Sequence, residues 1–188
     1  MCGNGGRCIV HFAYNILKIL PDSQNIKFLA VDGVHEAKMM KDGLVKLKMQ
    51  DMGEMEIHNG LNFIKCGTTP DYVQFVENLE RFSVVDEGRK IRDNPKNPRG
   101  DVNFVELKDE IFHARTYERG VEEETMACGT GATAIAIISH QLGKLKENVA
   151  HIKMPGGELK IEFEEKNGRY TNIWLEGPAT FVCKGEIK

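Results

Sequence analysis

Several things are missing from this sequence, and each omission removes a class of function. Its longest apolar run, Ala134–Ser139 (AIAIIS), is far short of the roughly 20 residues that a membrane-spanning helix needs. It has no surplus of positive charge: 25 Lys and Arg stand against 28 Asp and Glu, for a net charge of −3. Nucleic-acid binders usually carry a basic face, so that partner is excluded. No secretory n-region and h-region precede the first motif. The five cysteines are odd in number and irregular in spacing, which suits a reducing cytoplasm better than a disulfide framework. They form no C-x-x-C pair, and the six histidines are scattered, so no metal is expected. No Gly-Lys-Ser/Thr follows either glycine-rich stretch, which rules out a phosphate-binding P-loop.

What remains is a chain of 188 residues, 41% hydrophobic and 28% charged. That is enough to bury a core in one ordinary domain or two small ones. Apolar residues recur at helical spacing from Gly6 to Leu20, where Pro21 stops the run. Strand-like pieces follow at Ile26–Val31, Val34–Met40 and Leu44–Met49, separated by Asp-Gly turn chemistry. Leu61–Cys66 and Tyr72–Val76 read as extended, Asp86–Arg92 as a short helix, and Asn94–Asp101 (NPKNPRGD) as a loop. Val102–Leu107 and Ile111–Tyr117 read as paired strands. Gly129–Leu142 reads as a second amphipathic helix, with Gly143 as its C′ residue. Four strands close the chain: His151–Met154, Glu158–Glu164, Tyr170–Glu176 and Thr180–Gly185. The order is that of a repeated α+β unit and not of alternating βαβ.

One motif occurs twice. The chain opens MCGNGGRC, and ACGTGATA follows 126 positions later, each time just before an apolar helical run. The first turn of a helix leaves backbone N–H groups without intrahelical partners, and glycine lets another group approach them closely. Such a turn seats an anion, for instance a carboxylate, without a basic side chain. A cysteine there has its thiolate favoured by the same partial charge. Two such turns facing one carbon could remove a proton from one side and return one to the other. Gly129–Ala134 also satisfies a loose G-x-G-x-x-A dinucleotide pattern, but acidic GVEEETMAC stands where that fold needs a buried strand. Cys8, Cys66 and Cys183 read as small buried hydrophobes. For Cys2 and Cys128 the flanking glycines argue against that reading.

CGNGGRC, YERGVEEETMACGTGA and the closing GPATFVCKGEI closely resemble the diaminopimelate epimerase family of PLP-independent amino-acid epimerases. The resemblance implies an α+β fold of two pseudo-symmetric lobes, each a mostly antiparallel sheet wrapped around a central helix. The first lobe is expected to be incomplete: residues 1–47 with 178–188 supply its remainder, and residues 48–177 form the second lobe. It further implies Cys2 and Cys128 as the thiolate/thiol acid–base pair, with no cofactor. Gly3, Asn4, Gly129 and Thr130 would present N–H groups to the carboxylate at the reacting centre. Glu118 would take the α-ammonium, while Arg119 and Asn103 would hold the distal carboxylate. Thr69 stands in GTTPD at a substrate-contacting position, and Asp71 stands where the family has histidine.

The expected reaction is conversion of LL-diaminopimelate to meso-diaminopimelate, in lysine and peptidoglycan precursor biosynthesis in the cytoplasm. The substrate is a small molecule, with neither nucleic acid nor membrane as partner, and a homodimer is left open. Because family members carry a stretch ahead of the first motif, this chain is expected to be weakly active or inactive as written. Two alternatives stand beside this reading. One is a proline- or hydroxyproline-type racemase of the same superfamily; the other is a non-catalytic amino-acid-binding remnant.

Overall fold

The computed structural model describes residues 2–20 and 25–186. Helix α1 spans Gly3–His11 and continues as a π-helical turn over Phe12–Ile16. It buries Gly3, Gly6, Arg7 and Val10, the 3–4 spacing of a helix lying with one face on other elements. Three strands follow, β1 (Ile26–Ala30), β2 (Gly33–Met39) and β3 (Val45–Lys48), then β4 (Glu56–His58), β5 (Leu61–Cys66) and β6 (Thr69–Phe75). Helix α2 (Val84–Arg92) precedes β7 (Asp101–Lys108), β8 (Ile111–Tyr117) and the two-residue β9 (Glu124–Thr125). Helix α3 (Gly129–Gln141) leads to β10 (Val149–Met154), β11 (Gly157–Lys166) and β12 (Arg169–Gly177).

The strands join into one continuous sheet in the order β1-β2-β3-β12-β11-β10-β8-β7-β6-β5-β4, with β9 added to β8. Neighbours are antiparallel except β6 with β7 and β8 with β10. The sheet curls around α3, which touches β5 to β8 and β10 to β12. The fold is therefore α+β with sheet wrapped around a central helix, as expected.

That wrapping corrects one expectation. The second helix is not amphipathic: Gly129 and Gly131 through Ser139 are all buried. A helix surrounded by sheet has no solvent face, so its sequence is apolar all round. A second, smaller core of Phe63, Tyr72, Leu79, Val84, Val102, Phe104 and Tyr117 lies under α2.

The strands expected in separate lobes meet across β3 and β12. There Leu47 pairs with Leu175, and both side chains are fully buried. The expected strand at Thr180–Gly185 does not form. Residues 178–186 run irregularly, and 180–186 are exposed. An isolated strand leaves its backbone groups to water, and without a neighbouring ladder it gains nothing from extending. Strands β4 and β9 were not anticipated, being three and two residues long.

Candidate active site

Both Cys-Gly motifs cap a helix. Cys2 and Cys128 sit at the N-cap positions of α1 and α3 with extended backbones (φ −78°, ψ 120° and φ −126°, ψ 117°). The helices begin at Gly3 and Gly129, and these two glycines touch. A Cβ on Gly129 would stand 3.2 Å from the Gly3 Cα, and one on Gly3 would stand 3.4 Å from the Gly129 Cα. Leu175 packs beneath both. Asn4 Nδ2 donates to the Ala127 carbonyl at 2.8 Å, tying one motif to the residue before the other cysteine. Two helix starts 126 residues apart in sequence thus share one floor.

Arg7, one turn along α1, is buried and donates to Asn4 Oδ1 (3.0 Å), Gly3 O (3.4 Å) and Pro178 O (3.3 Å). Burial lowers its pKa, while the thiols of Cys8 and Cys2 favour its charge. It braces the first motif against the exit of β12.

The two cysteines have different surroundings. Cys2 is exposed and Cys128 is buried. Cys128 Sγ accepts from the Gly131 N–H at 3.4 Å, lies 3.4 Å from Thr130 Oγ1 and 3.9 Å from Asp101 Oδ2. Its pKa is raised well above the ordinary thiol value by burial and by the charges of Asp71 and Asp101. The expectation of a favoured thiolate at this helix start is therefore reversed for Cys128. One N–H at 3.4 Å does not offset burial beside two carboxyl groups. At rest Cys128 is a thiol.

Asp71 and Asp101 pair across the parallel β6–β7 ladder. Burial and their mutual repulsion push the Asp71 carboxyl well up; burial is also the main cause of the rise at Asp101. Asp101 Oδ1 accepts from the Arg119 backbone N–H at 2.6 Å, and Asp71 Oδ1 accepts from Asn103 Nδ2 at 3.1 Å. Glu118, half-buried after β8, accepts from Thr125 Oγ1 at 2.6 Å. The exposed Arg119 favours the charge of both aspartates, and Glu118 opposes it. The TYERG stretch is thus gathered around Asp101 and Asp71.

Asn103 is fully buried, and its polar atoms are engaged internally. Nδ2 donates to Asp71 and to the Tyr72 carbonyl, and Oδ1 accepts from Thr116 Oγ1 at 2.7 Å. It lies against Gly131, under the first turn of α3. Thr69 and Thr130 line a cleft with Asp32, His35, Lys48 and Gln50.

Sequence reasoning missed Arg7 and Asp101. Asp101 was hidden because NPKNPRGD reads as a polar loop, whereas the residue opens a buried strand. Asp71 carried a legible signal, an acidic residue at the head of the apolar DYVQF run.

A family model described as diaminopimelate epimerase matches residues 63–182. The diaminopimelate epimerase of Flavobacterium psychrophilum is 44% identical over 192 residues, covering 100% of this chain and 73% of that protein. That of Chlorobaculum tepidum is 38% identical over 198 residues, covering 100% and 74%. Among solved structures, a phenazine biosynthesis protein of the PhzF family from Bacillus anthracis superposes with a TM-score of 0.73 at 12% identity, covering 100% of this chain and 76% of that one. A hydroxyproline epimerase from Agrobacterium vitis superposes with a TM-score of 0.66 at 16% identity, covering 94% and 62%. These structures share the fold. Paired cysteine-capped helices in a wrapped sheet, together with close relatives over the whole sequence, lead to one conclusion: the chain belongs to the diaminopimelate epimerase family of amino-acid isomerases.

Proposed function

We propose that the chain interconverts LL- and meso-diaminopimelate, serving lysine and peptidoglycan precursor synthesis, with Cys2 and Cys128 exchanging protons on opposite faces of the α-carbon. The observation that supports this reading is the contact of Gly3 with Gly129, which brings the two helix starts side by side. N–H groups of Gly3, Asn4, Gly129 and Thr130 receive the carboxylate at the reacting centre. As the α-proton leaves, its electron pair spreads into that carboxylate, and the same donors hold the added charge. Losing one such donor typically costs about 10²–10³-fold in rate. Glu118 takes the ammonium and Arg119 the distal carboxylate. Asn103 supports that wall from beneath, and Thr69 lies on the cleft side.

The contrast between the cysteines supplies a direction. Cys128, buried beside Asp71 and Asp101, starts as the thiol that donates. Cys2, exposed at its helix start, starts as the base. The proton from carbon moves to Cys2 sulfur, the Cys128 thiol proton moves to carbon, and solvent restores the pair. Proline lacks the second carboxylate that Arg119 would receive, so the racemase reading is the weaker one.

The test is α-proton exchange in deuterated water, with LL-diaminopimelate and proline as substrates. Exchange is expected with diaminopimelate only. Cys2→Ser and Cys128→Ser should each abolish epimerisation while sparing exchange of a different isomer. Exchange that survives unchanged in both variants, or that is faster with proline, would overturn the reading.

A further inference from the structure

We propose that Asp71, Asp101 and Cys128 form a three-ligand site for a thiophilic divalent cation of the zinc class, and that filling it silences Cys128. One carboxylate oxygen from each aspartate and Cys128 Sγ lie within 4.8 Å of one another, and all three residues are buried. Their sequence spacing, 30 and 27 residues, matches no metal motif; the β6–β7 ladder and the start of α3 bring them together.

A second observation points to a ligand. Asp71 is fully buried, yet its Oδ2 has no hydrogen-bond partner. Buried polar atoms are nearly always satisfied, and an orphan among other acceptors is a place for a donor or a cation. The other oxygens are already anchored. Asn103 Nδ2 holds Asp71 Oδ1, and the Arg119 N–H holds Asp101 Oδ1. Such outer partners orient carboxylates that ligate with their remaining oxygen.

The spacing fits. A tetrahedral zinc centre with bonds of about 2.0 Å to oxygen and 2.3 Å to sulfur separates those ligands by about 3.5 Å. Asp101 Oδ2 and Cys128 Sγ are 3.9 Å apart, so a small side-chain adjustment closes the shell and leaves a fourth position for water. Two carboxylates and one thiolate also suit a borderline-soft divalent ion better than magnesium or calcium, which prefer oxygen throughout. The N–H of Gly131 aimed at sulfur opposes a cation, but two carboxylates outnumber it. Loading exchanges protons for metal: the thiol proton and any proton shared by the aspartates leave to solvent, and three lone pairs form three metal–ligand bonds. No electron is transferred. A metal-bound sulfur can neither take nor give a proton, so the expected consequence is reversible inhibition.

The probe is Co²⁺ added to the full chain with its cysteines reduced and the reductant removed. A thiolate-to-cobalt charge-transfer band and tetrahedral visible bands are expected, with Zn²⁺ displacing them at one equivalent per chain. Cys128→Ser should remove the charge-transfer band, and the near-isosteric Asp71→Asn and Asp101→Asn should each weaken Co²⁺ binding about tenfold or more. Circular dichroism confirms that each variant is folded. Absence of the band at millimolar Co²⁺, or a band that survives Cys128→Ser and vanishes in Cys2→Ser, would overturn the site. The inhibitory consequence rests on the epimerase reading. The spectra do not, so failure of one is distinguishable from failure of the other.

Discussion

Gly3 and Gly129 pack Cα against Cα: a Cβ on Gly129 would lie 3.2 Å from the Gly3 Cα, so a methyl group there fits only if its neighbour gives by a few tenths of an ångström. This contact aligns the starts of α1 and α3, so it should be unusually sensitive to size. Gly129→Ala is expected to cost about 1–3 kcal/mol of stability, as for overpacking elsewhere. It should lower proton exchange by more than that loss of folded protein explains. Urea midpoints beside α-proton exchange rates check it; unchanged exchange would mean that the spacing of the two turns is not used.

Asn103 and Gly131 form a second tight pair. A Cβ on Gly131 would lie 2.1 Å from Asn103 Oδ1, and that oxygen is held by Thr116. Gly131→Ala should destabilise by about 3 kcal/mol or more, because overpacking is compounded by displacement of a buried hydrogen bond. Adding Asn103→Ala should recover part of the loss, since it removes the obstructing amide. A double-mutant cycle measures the coupling, and strict additivity would show that the two side chains do not compete.

Asp71 makes stability fall as pH rises. Its carboxyl titrates well above the unfolded value because it is buried and close to Asp101. The native state therefore holds a proton that the unfolded chain has already released. Below the unfolded value of about 3.9 this group costs nothing. As pH climbs from there toward its folded value, stability is progressively lost. Asp71→Asn keeps an acceptor for Asn103 Nδ2 and removes the charge. The variant should be more stable than the parent near pH 8, with the advantage shrinking toward pH 4. Urea denaturation at several pH values reads this directly, and a constant difference would contradict it.

Arg92 holds two stretches of the site from behind. Its side chain has no exposed surface and donates to the carbonyls of Gly100 (2.8 Å) and Tyr117 (3.4 Å), and to Glu122 (2.7 Å). Those carbonyls immediately precede Asp101 and Glu118. Arg92→Met removes both of these buried hydrogen bonds from a charged donor, each worth about 1.5–3 kcal/mol. The Glu122 partner is 45% exposed and adds little. A loss of about 2–4 kcal/mol is expected in urea unfolding, with turnover reduced at saturating substrate. A variant that loses stability but keeps full turnover would show that Arg92 does not position the site.

Much of the architecture was legible because local chemistry agreed with the final fold. Asp32-Gly33 and Asn167-Gly168 mark hairpin turns, and the strands on either side of each form where alternation and turn residues place them. The ends were less legible. Thr180–Gly185 (TFVCKG) carries a short apolar run like a strand's but has no neighbouring ladder among the described residues. Strands β4 and β9 are too short for a period to show.

The candidate site divides along a similar line. Cys2 and Cys128 were recognisable from their own flanking residues, because the start of a helix is decided within a turn of chain and glycine there has a local meaning. The same local view assigned both sulfurs a favoured thiolate. Burial and through-space charge reversed that for Cys128, and neither is encoded in the neighbouring letters.

By itself, then, the order of residues determined the repeat, the two cysteine-capped helices, the turns and the membership of the family, all properties of short segments. Only tertiary structure decided that Gly3 meets Gly129 and that Leu47 and Leu175 seal one sheet. It also decided that Asp71 and Asp101 converge on Cys128 from separate strands. The physical reason is range: caps and periodicity act over a few residues, whereas burial and Coulombic interaction depend on distances that exist only once the sheet has closed around α3.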